Sequence, residues 1–394
     1  MSDWQESTLG TFIKVKHGYA FSGDQITAEE NLRILVTPGN FQIGGGFKSA
    51  KFKYFRGDHP ESYALREGDI VVTMTDLSKE GDTLGYGAKI PKLNGKVFLH
   101  NQRIGLIEFK GAKVCKDFLY WVLRTPEYQG FVLGAATGTS VRHSSPSTIH
   151  QVKFSLPTSL VEQECIAAVL SSLNDKIDLL DRQKKTLEAM AETLFRQWFV
   201  EEAQEGWNER PLSGIANFLN GLACQKYPPT NVLEKLPVLK IRELSNGISE
   251  TSDWVTSHVK PGYIVEAGDV IFAWSASLIV KVWDGERCVL NQHLFKVTSE
   301  EFPKWFYLRW CKHHLAEFIA VAASHATTMG HIKRGDLDTA MVLVPPPPIL
   351  KSMSKQMQPL LDKQIAIARQ RKTLEKLRDT LLPKLMSGEV RVAY

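Results

Sequence analysis

The side chains of this sequence that would do metal, redox or phosphate chemistry are present, but none is spaced for it. His313-His314 are neighbours in an aromatic segment, whereas a zinc-hydrolase helix needs histidines four residues apart so that both imidazoles share one face. His100, His143, His293 and His325 each lie in a polar stretch with no spaced second ligand. Cys115, Cys165, Cys224, Cys288 and Cys311 form no Cys-x-x-Cys pair, which argues against a zinc knuckle or a disulfide framework and for reduced thiols in the cytoplasm. Gly44-Gly-Gly46 lacks the Gly-x-Gly-x-x-Gly spacing of a dinucleotide turn and is expected to be a loop. No Gly-x-x-x-x-Gly-Lys-Ser/Thr phosphate loop, no Asn/Asp-Pro-Pro-Tyr/Phe tetrapeptide and no evident nuclease carboxylate set occurs. The expectation is a binding or scaffolding chain, not an enzyme, that holds no metal and no cofactor of its own.

What must position any binding residues is a duplicated frame. Gln183-Lys-Lys-Thr-Leu-Glu-Ala-Met190 returns as Gln370-Arg-Lys-Thr-Leu-Glu-Lys-Leu377. Other landmarks recur in the same order: Leu9 to Gly18 as Leu212 to Gly221, Gly68-Asp69 as Gly268-Asp269, and Asn101-Gln102 as Asn291-Gln292. Thr137-Gly-Thr139 matches Ala326-Thr-Thr328, and Leu156-Pro157 matches Val344-Pro345. The offset shrinks from 203 to 187 along the chain, as expected if deletions accumulate in surface loops. With 394 residues and 43% hydrophobic content there is enough chain for two or three globular cores. No apolar run reaches the roughly 18 residues of a membrane span, and the N-terminus carries no signal-peptide pattern.

Each half ends in a long amphipathic segment. Stepping by four and three from Ile166 reaches Leu170, Leu173, Ile177, Leu180, Lys184, Leu187, Ala191, Leu194 and Trp198. The same walk in the second half visits Met353, Met357, Leu360, Gln364, Ile367, Arg371, Leu374, Arg378, Leu381 and Leu385. A 3.5-residue repeat sustained over more than four heptads predicts a coiled coil, with Lys184 and Arg371 at the same repeat position. Residues 158–203 hold 5 basic and 9 acidic side chains, and residues 346–394 hold 10 and 4, so the two segments are oppositely charged. Opposite charge sets partner choice while the apolar seam supplies the attraction, which favours one antiparallel two-helix stalk over two helices packed separately. Pro359 and Pro383 are expected to interrupt the second helix and to end it before Gly388.

Between the helices, glycine-punctuated strands are expected at Asp69 to Met74, Ile104 to Phe109 and Val270 to Trp274. One aromatic-rich helix is expected in each half, Lys116 to Arg124 and Pro303 to Ala322. The fold class is α+β: two pseudo-repeated mixed α/β domains, 1–157 and 204–345, joined by two long antiparallel coiled-coil helices within 158–203 and 346–394.

The run Leu156-Pro-Thr-Ser-Leu-Val-Glu-Gln-Glu-Cys-Ile-Ala-Ala-Val-Leu170 resembles the conserved central region of specificity subunits of Type I restriction-modification systems. Leu194-Phe-Arg-Gln-Trp-Phe-Val200, Gly18-Tyr-Ala-Phe21 and the Thr-Gly-Thr type loop add to the resemblance, and Leu381-Leu-Pro-Lys-Leu-Met-Ser-Gly-Glu-Val390 resembles the distal region of the same family. The second half departs from it at Pro347-Pro-Ile-Leu-Lys351, where a Glu-Gln pair is frequent. The resemblance implies two target-recognition domains, each reading one half of a split, asymmetric site in double-stranded DNA, with the paired helices as the ruler. It also implies two docked modification (methyltransferase) subunits bringing S-adenosylmethionine, and restriction/translocase subunits bringing ATP and Mg. About 40 helical residues at about 1.5 Å each span roughly 60 Å, against a major-groove repeat of about 34 to 36 Å. A specificity module of a methylation-only system, or a coiled-coil adaptor that never touches DNA, remain alternatives.

Base edges are read by hydrogen bonds, so the polar loops carry the candidates. In the first half these are Arg142, His143 and Ser144, with Thr139 and Ser140 placed on phosphate. In the second half they are His325, Thr327, Thr328, His331 and Lys333. Lys48, Lys51, Lys53 and Arg56, and Lys240 with Arg242, form basic clusters suited to gripping the backbone.

Overall fold

A computed structural model of the chain describes all residues except 1, 2, 77, 79, 80, 112, 139, 140, 232, 325–329 and 394. The chain divides into two compact units, Met1–Asp175 with Glu375–Tyr394, and Lys176–Leu374.

In the first unit an antiparallel sheet has the order Ile13–His17, Ile104–Phe109, Ile70–Thr73, Gly87–Lys89. Beside it lies a second sheet with the order Ile26–Thr27, Lys53–Phe55, Arg33–Val36, Val97–His100, Ala64–Leu65, in which Arg33–Val36 and Val97–His100 run parallel. Ile70, Val71, Val72 and Thr73 are all buried, because this strand is covered on both faces. Ile70 and Val72 join a core with Phe118, Leu119 and Trp121, whereas Val71 faces Ile34, Val36 and Phe98.

The second unit repeats this plan. Its antiparallel sheet has the order Asn217–Asn220, Leu294–Thr298, Val270–Ala273, Ile279–Val282, and its mixed sheet the order Trp254–Thr256, Lys235–Leu239, Cys288–Leu290, Ile264–Val265. The parallel pair recurs between Lys235–Leu239 and Cys288–Leu290. Val270 and Phe272 pack with Trp305, Phe306 and Trp310, while Ile271 and Ala273 pack with Leu239, Trp283 and Leu290. In each half the first and last strands pair antiparallel, Trp4–Thr8 with Lys153–Pro157 and Asn208–Pro211 with Met341–Val344, so the chain enters and leaves at one place. The strand Ile104–Phe109 has the expected bounds, and the other two expected strands are each shorter at their ends, Ile70–Thr73 and Val270–Ala273.

The expected single aromatic helices are each two. Lys116–Val122 is followed by Pro126–Gly134, which starts at a proline in its first turn and is capped by Thr125 Oγ1 accepting from Tyr128 N. Lys304–His313 is followed by Leu315–Ser324, with His314 between them.

The central helix runs Leu160–Arg196 and passes into a π-helical turn at Gln197–Glu201. The distal helix runs without a break from Pro347 to Ser387, which corrects the expected interruption at Pro359 and termination near Pro383. Pro359 is exposed, so the carbonyl whose partner it removes faces water, and the cost of about 3 kcal/mol is offset by Met357 and Leu361, 1% and 4% exposed on the buried face. Pro347 opens the helix, where a missing N–H removes nothing.

Within each unit the two helices run antiparallel. In the first, Ile166 and Leu170 share a core with Leu382, Leu385 and Met386, and Arg378 donates to Asn174 Oδ1 at 3.3 Å. In the second, Arg371 reaches Asp181 at 3.6 Å, Leu187 lines one groove with Lys363 and Ile367, and Ala191 and Phe195 share a core with Met353, Met357 and Leu361. The buried stripe is wider than a coiled-coil seam, since Ala167, Phe195, Leu361, Ala368 and Leu382 are buried beside the heptad positions. Both helices are therefore part of the domain cores as well as partners of each other.

Candidate nucleic-acid interface

Three segments meet at one edge of the first domain: the turn Asn101–Arg103, the strand end at Met74 and Thr75, and the loop strand Arg142–His143. The close approach begins at Gly18, where a side-chain carbon would sit 2.0 Å from the Asn101 carbonyl oxygen, so only glycine fits. Tyr19 N then donates to His100 O and Gln102 N to Tyr19 O. Met74 N donates to Arg103 O, and Ser144 N to Met74 O. His143 pairs with Thr75 across a short antiparallel ladder, and its Nδ1 lies 3.2 Å from Thr75 Oγ1.

The second domain builds the same edge bond for bond. A side-chain carbon on Gly221 would sit 2.2 Å from the Asn291 carbonyl oxygen. Leu222 N donates to Leu290 O, Gln292 N to Leu222 O, Trp274 N to His293 O and Ile332 N to Trp274 O. His331 bridges Ser275 as His143 pairs with Thr75. The structure thus places His143 and His331 at equivalent positions. In both domains a backbone ladder fixes the course of the loop.

The other candidates are distributed as follows. Ser144 is half-buried, and its Oγ is buried without a hydrogen-bond partner. Arg142 is half-buried and passes over Gly81. Lys333 is exposed and precedes the short helix Arg334–Thr339. Thr139, Ser140, His325, Thr327 and Thr328 lie outside the described residues. Lys48, Lys51 and Lys53 are exposed and have no carboxylate partner among the described residues, whereas Arg56 is paired with Glu29. Lys240 is paired with Asp253, and Arg242 with the buried Glu243 at 2.7 Å and the Thr251 carbonyl at 2.9 Å. These pairs leave Lys48, Lys51 and Lys53 as the cations of the two clusters that carry uncompensated charge.

Of the helix-pairing candidates, Ile166, Leu170, Ile177, Leu180 and Ile367 are buried, and Leu173, Leu187, Leu194, Trp198, Leu360, Leu374 and Leu381 are half-buried. Lys184 turns to Asp284 at 3.1 Å.

Two anchors between domain and helix escaped the sequence reading. Arg124, 3% exposed, donates to the Gly44 and Gly45 carbonyls, to Tyr120 Oη and to Asn174 Oδ1 of the central helix. Arg309, also 3% exposed, binds Glu188 at 3.0 Å and Glu192 at 3.1 Å on the same helix. Burial opposes ionisation of Glu188, but Lys312 and Arg309 outweigh it and hold the carboxyl below its ordinary value. Trp121 Nε1 donates to Ser171 Oγ and Trp305 Nε1 to Ser354 Oγ, both at 3.0 Å, so each domain pins a tryptophan to a long helix. Heptad stepping cannot find such residues, because they lie off the seam.

Among the described residues no group of three or more His, Cys, Asp or Glu could hold a metal, and no helix is long and apolar enough to cross a membrane.

Comparison with known proteins places these features in a family. The chain is 26% identical over 304 residues to the MjaIX specificity subunit of Methanocaldococcus jannaschii, covering 71% of this chain and 70% of that one. It is 20% identical to the HindI specificity subunit of Haemophilus influenzae over 99% of this chain and all of that one. Its fold is similar to the crystal structure of a Type I restriction-modification system S subunit from M. genitalium, with a TM-score of 0.59 at 15% identity, covering 98% and 96% of the two chains. The family described as the Type I restriction modification DNA specificity domain matches residues 1–189 and again residues 204–376, and the chain belongs to that family, with one such domain in each half.

Proposed function

We propose that each domain reads one half of a bipartite, asymmetric site in double-stranded DNA, with residues 1–157 and 204–345 as the two readers. The helices in 158–203 and 346–394 fix the length of the unread spacer and dock two modification subunits. Those partners bring S-adenosylmethionine and adenine methylation, restriction/translocase subunits bring ATP and Mg, and this chain supplies recognition without catalysis, in the cytoplasm. The observation that carries the reading is the duplicated edge, in which the same backbone bonds present Thr75 with His143 and Ser275 with His331. One chain with two non-identical readers predicts a site with two different halves. A map of methylated bases in cells expressing this chain with its methyltransferase subunit tests this. One motif of two unlike halves around a fixed gap is expected, and a contiguous or palindromic motif, or none, contradicts the proposal.

A further inference from the structure

The duplicated edge separates what the two readers share from what distinguishes them. Asn101-Gln102 and Asn291-Gln292 are identical in type and backbone bonding, and in both the asparagine Oδ1 accepts from the N–H two residues on, at 3.2 and 3.3 Å. The third residue of the turn differs: Arg103 in the first domain, His293 in the second. The carbonyl of each accepts from the N–H of the strand residue that also holds the polar loop, Met74 or Trp274. The third residue is thus two backbone hydrogen bonds, through Met74 or Trp274, from the loop that carries His143 or His331.

Arg103 is exposed, and its guanidinium has no partner among the described residues. Its planar fork of donors matches the O6 and N7 acceptors of guanine. His293 is half-buried and already engaged, with Nδ1 3.2 Å from Ser275 Oγ and Nε2 3.4 Å from Gln292 Nε2. An amide nitrogen can only donate, so His293 Nε2 is the acceptor of this contact. In the second domain the amide of Gln292 is therefore held by its neighbour His293, whereas in the first Gln102 is followed by an exposed guanidinium, and an amide side chain matches the N6 and N7 edge of adenine.

We propose that this turn is a second base-specifying element in each reader, with Arg103 selecting a guanine in the first half-site and Gln292, positioned by His293, selecting an adenine in the second. The proposal rests on the DNA-reading function given above. It is tested by mapping methylated bases in cells that express the methyltransferase subunit with the wild-type chain, Arg103→Ala, Arg103→Gln or His293→Ala. Arg103→Ala is expected to lower discrimination at one guanine of the first half-site by about 5- to 150-fold and to leave the second half-site unaltered. Arg103→Gln, which keeps a polar side chain on the exposed turn, shifts the same position towards adenine. His293→Ala relaxes one adenine of the second half-site only. Unaltered motifs in the variants, or uniform loss of methylation without change of motif, would overturn the proposal while leaving the family function standing. Absence of a bipartite motif for the wild-type chain would remove both.

Discussion

His100 ends the strand Val97–His100 directly before the turn Asn101–Arg103 and is fully buried, with Nε2 2.8 Å from the Ile104 carbonyl and Nδ1 unpartnered. Burial pushes its pKa down to about 4, against an ordinary value of about 6.5. The unfolded chain therefore takes up the proton first, so stability is intact above about pH 6.5, falls as pH drops below that, and levels off below about 4. The loss between pH 7 and pH 5 from this one group is about 2 kcal/mol. His100→Gln keeps an N–H for Ile104 and cannot titrate, so urea unfolding at the two pH values should show that part of the loss in the wild type and not in the variant. An equal loss in both would contradict this. Arg142, on the loop strand, belongs to the same edge. Arg142→Ala is expected to cost about 1 to 3 kcal/mol of site binding and to relax one base of the first half-site, and an unchanged motif with undiminished binding removes it from the readers.

At the scale of elements, the C-terminal tail is fastened to the central helix within the first unit. Arg391 forks onto Glu162, whose side chain is fully buried, with contacts of 2.6 and 2.9 Å, and the guanidinium lies over the Trp4 ring. Arg391→Ala strands a buried carboxylate and is expected to destabilise the first unit by about 3 to 5 kcal/mol in chemical denaturation. Combining it with Glu162→Gln should recover part of that loss, and a cost below about 1 kcal/mol would show the clasp to be inert. Both long helices were legible from heptad spacing, because apolar periodicity is set by burial. The continuity through Pro359 was not, because it depends on that residue facing water, which spacing alone does not give. The helix Lys116–Val122 lies within the expected Lys116 to Arg124, and the further helix Pro126–Gly134 was not expected although Thr125-Pro126 carries its cap signal. The polar loops were legible as candidates. Gln102 and Gln292 are visible in the sequence only as repeat landmarks, His293 only as a histidine without a spaced partner, and Arg103 not at all, because their place at the edge is made by hydrogen bonds to residues distant in sequence, such as Tyr19 and Leu222.

For the whole molecule, the repeat is the principal fact, since two domains of one plan, differing by the edge strand Ile26–Thr27 of the first, occur in one chain with two long helices between and after them. If helix length sets the spacer, one heptad added to each helix lengthens it by about 10.5 Å, or roughly three base pairs, and leaves both half-sites as they were. Mapping of methylated bases should show the longer gap, and an unchanged gap contradicts the ruler. The central claim, that each half of the site belongs to one domain, is tested most directly by exchange. Residues 204–345 would be replaced by the matching segment of a family member with a different site, and the methylated motif read in cells with the same methyltransferase subunit. The account predicts a motif whose second half is new while its first half and gap are retained. A motif altered in both halves, or in neither, would contradict it.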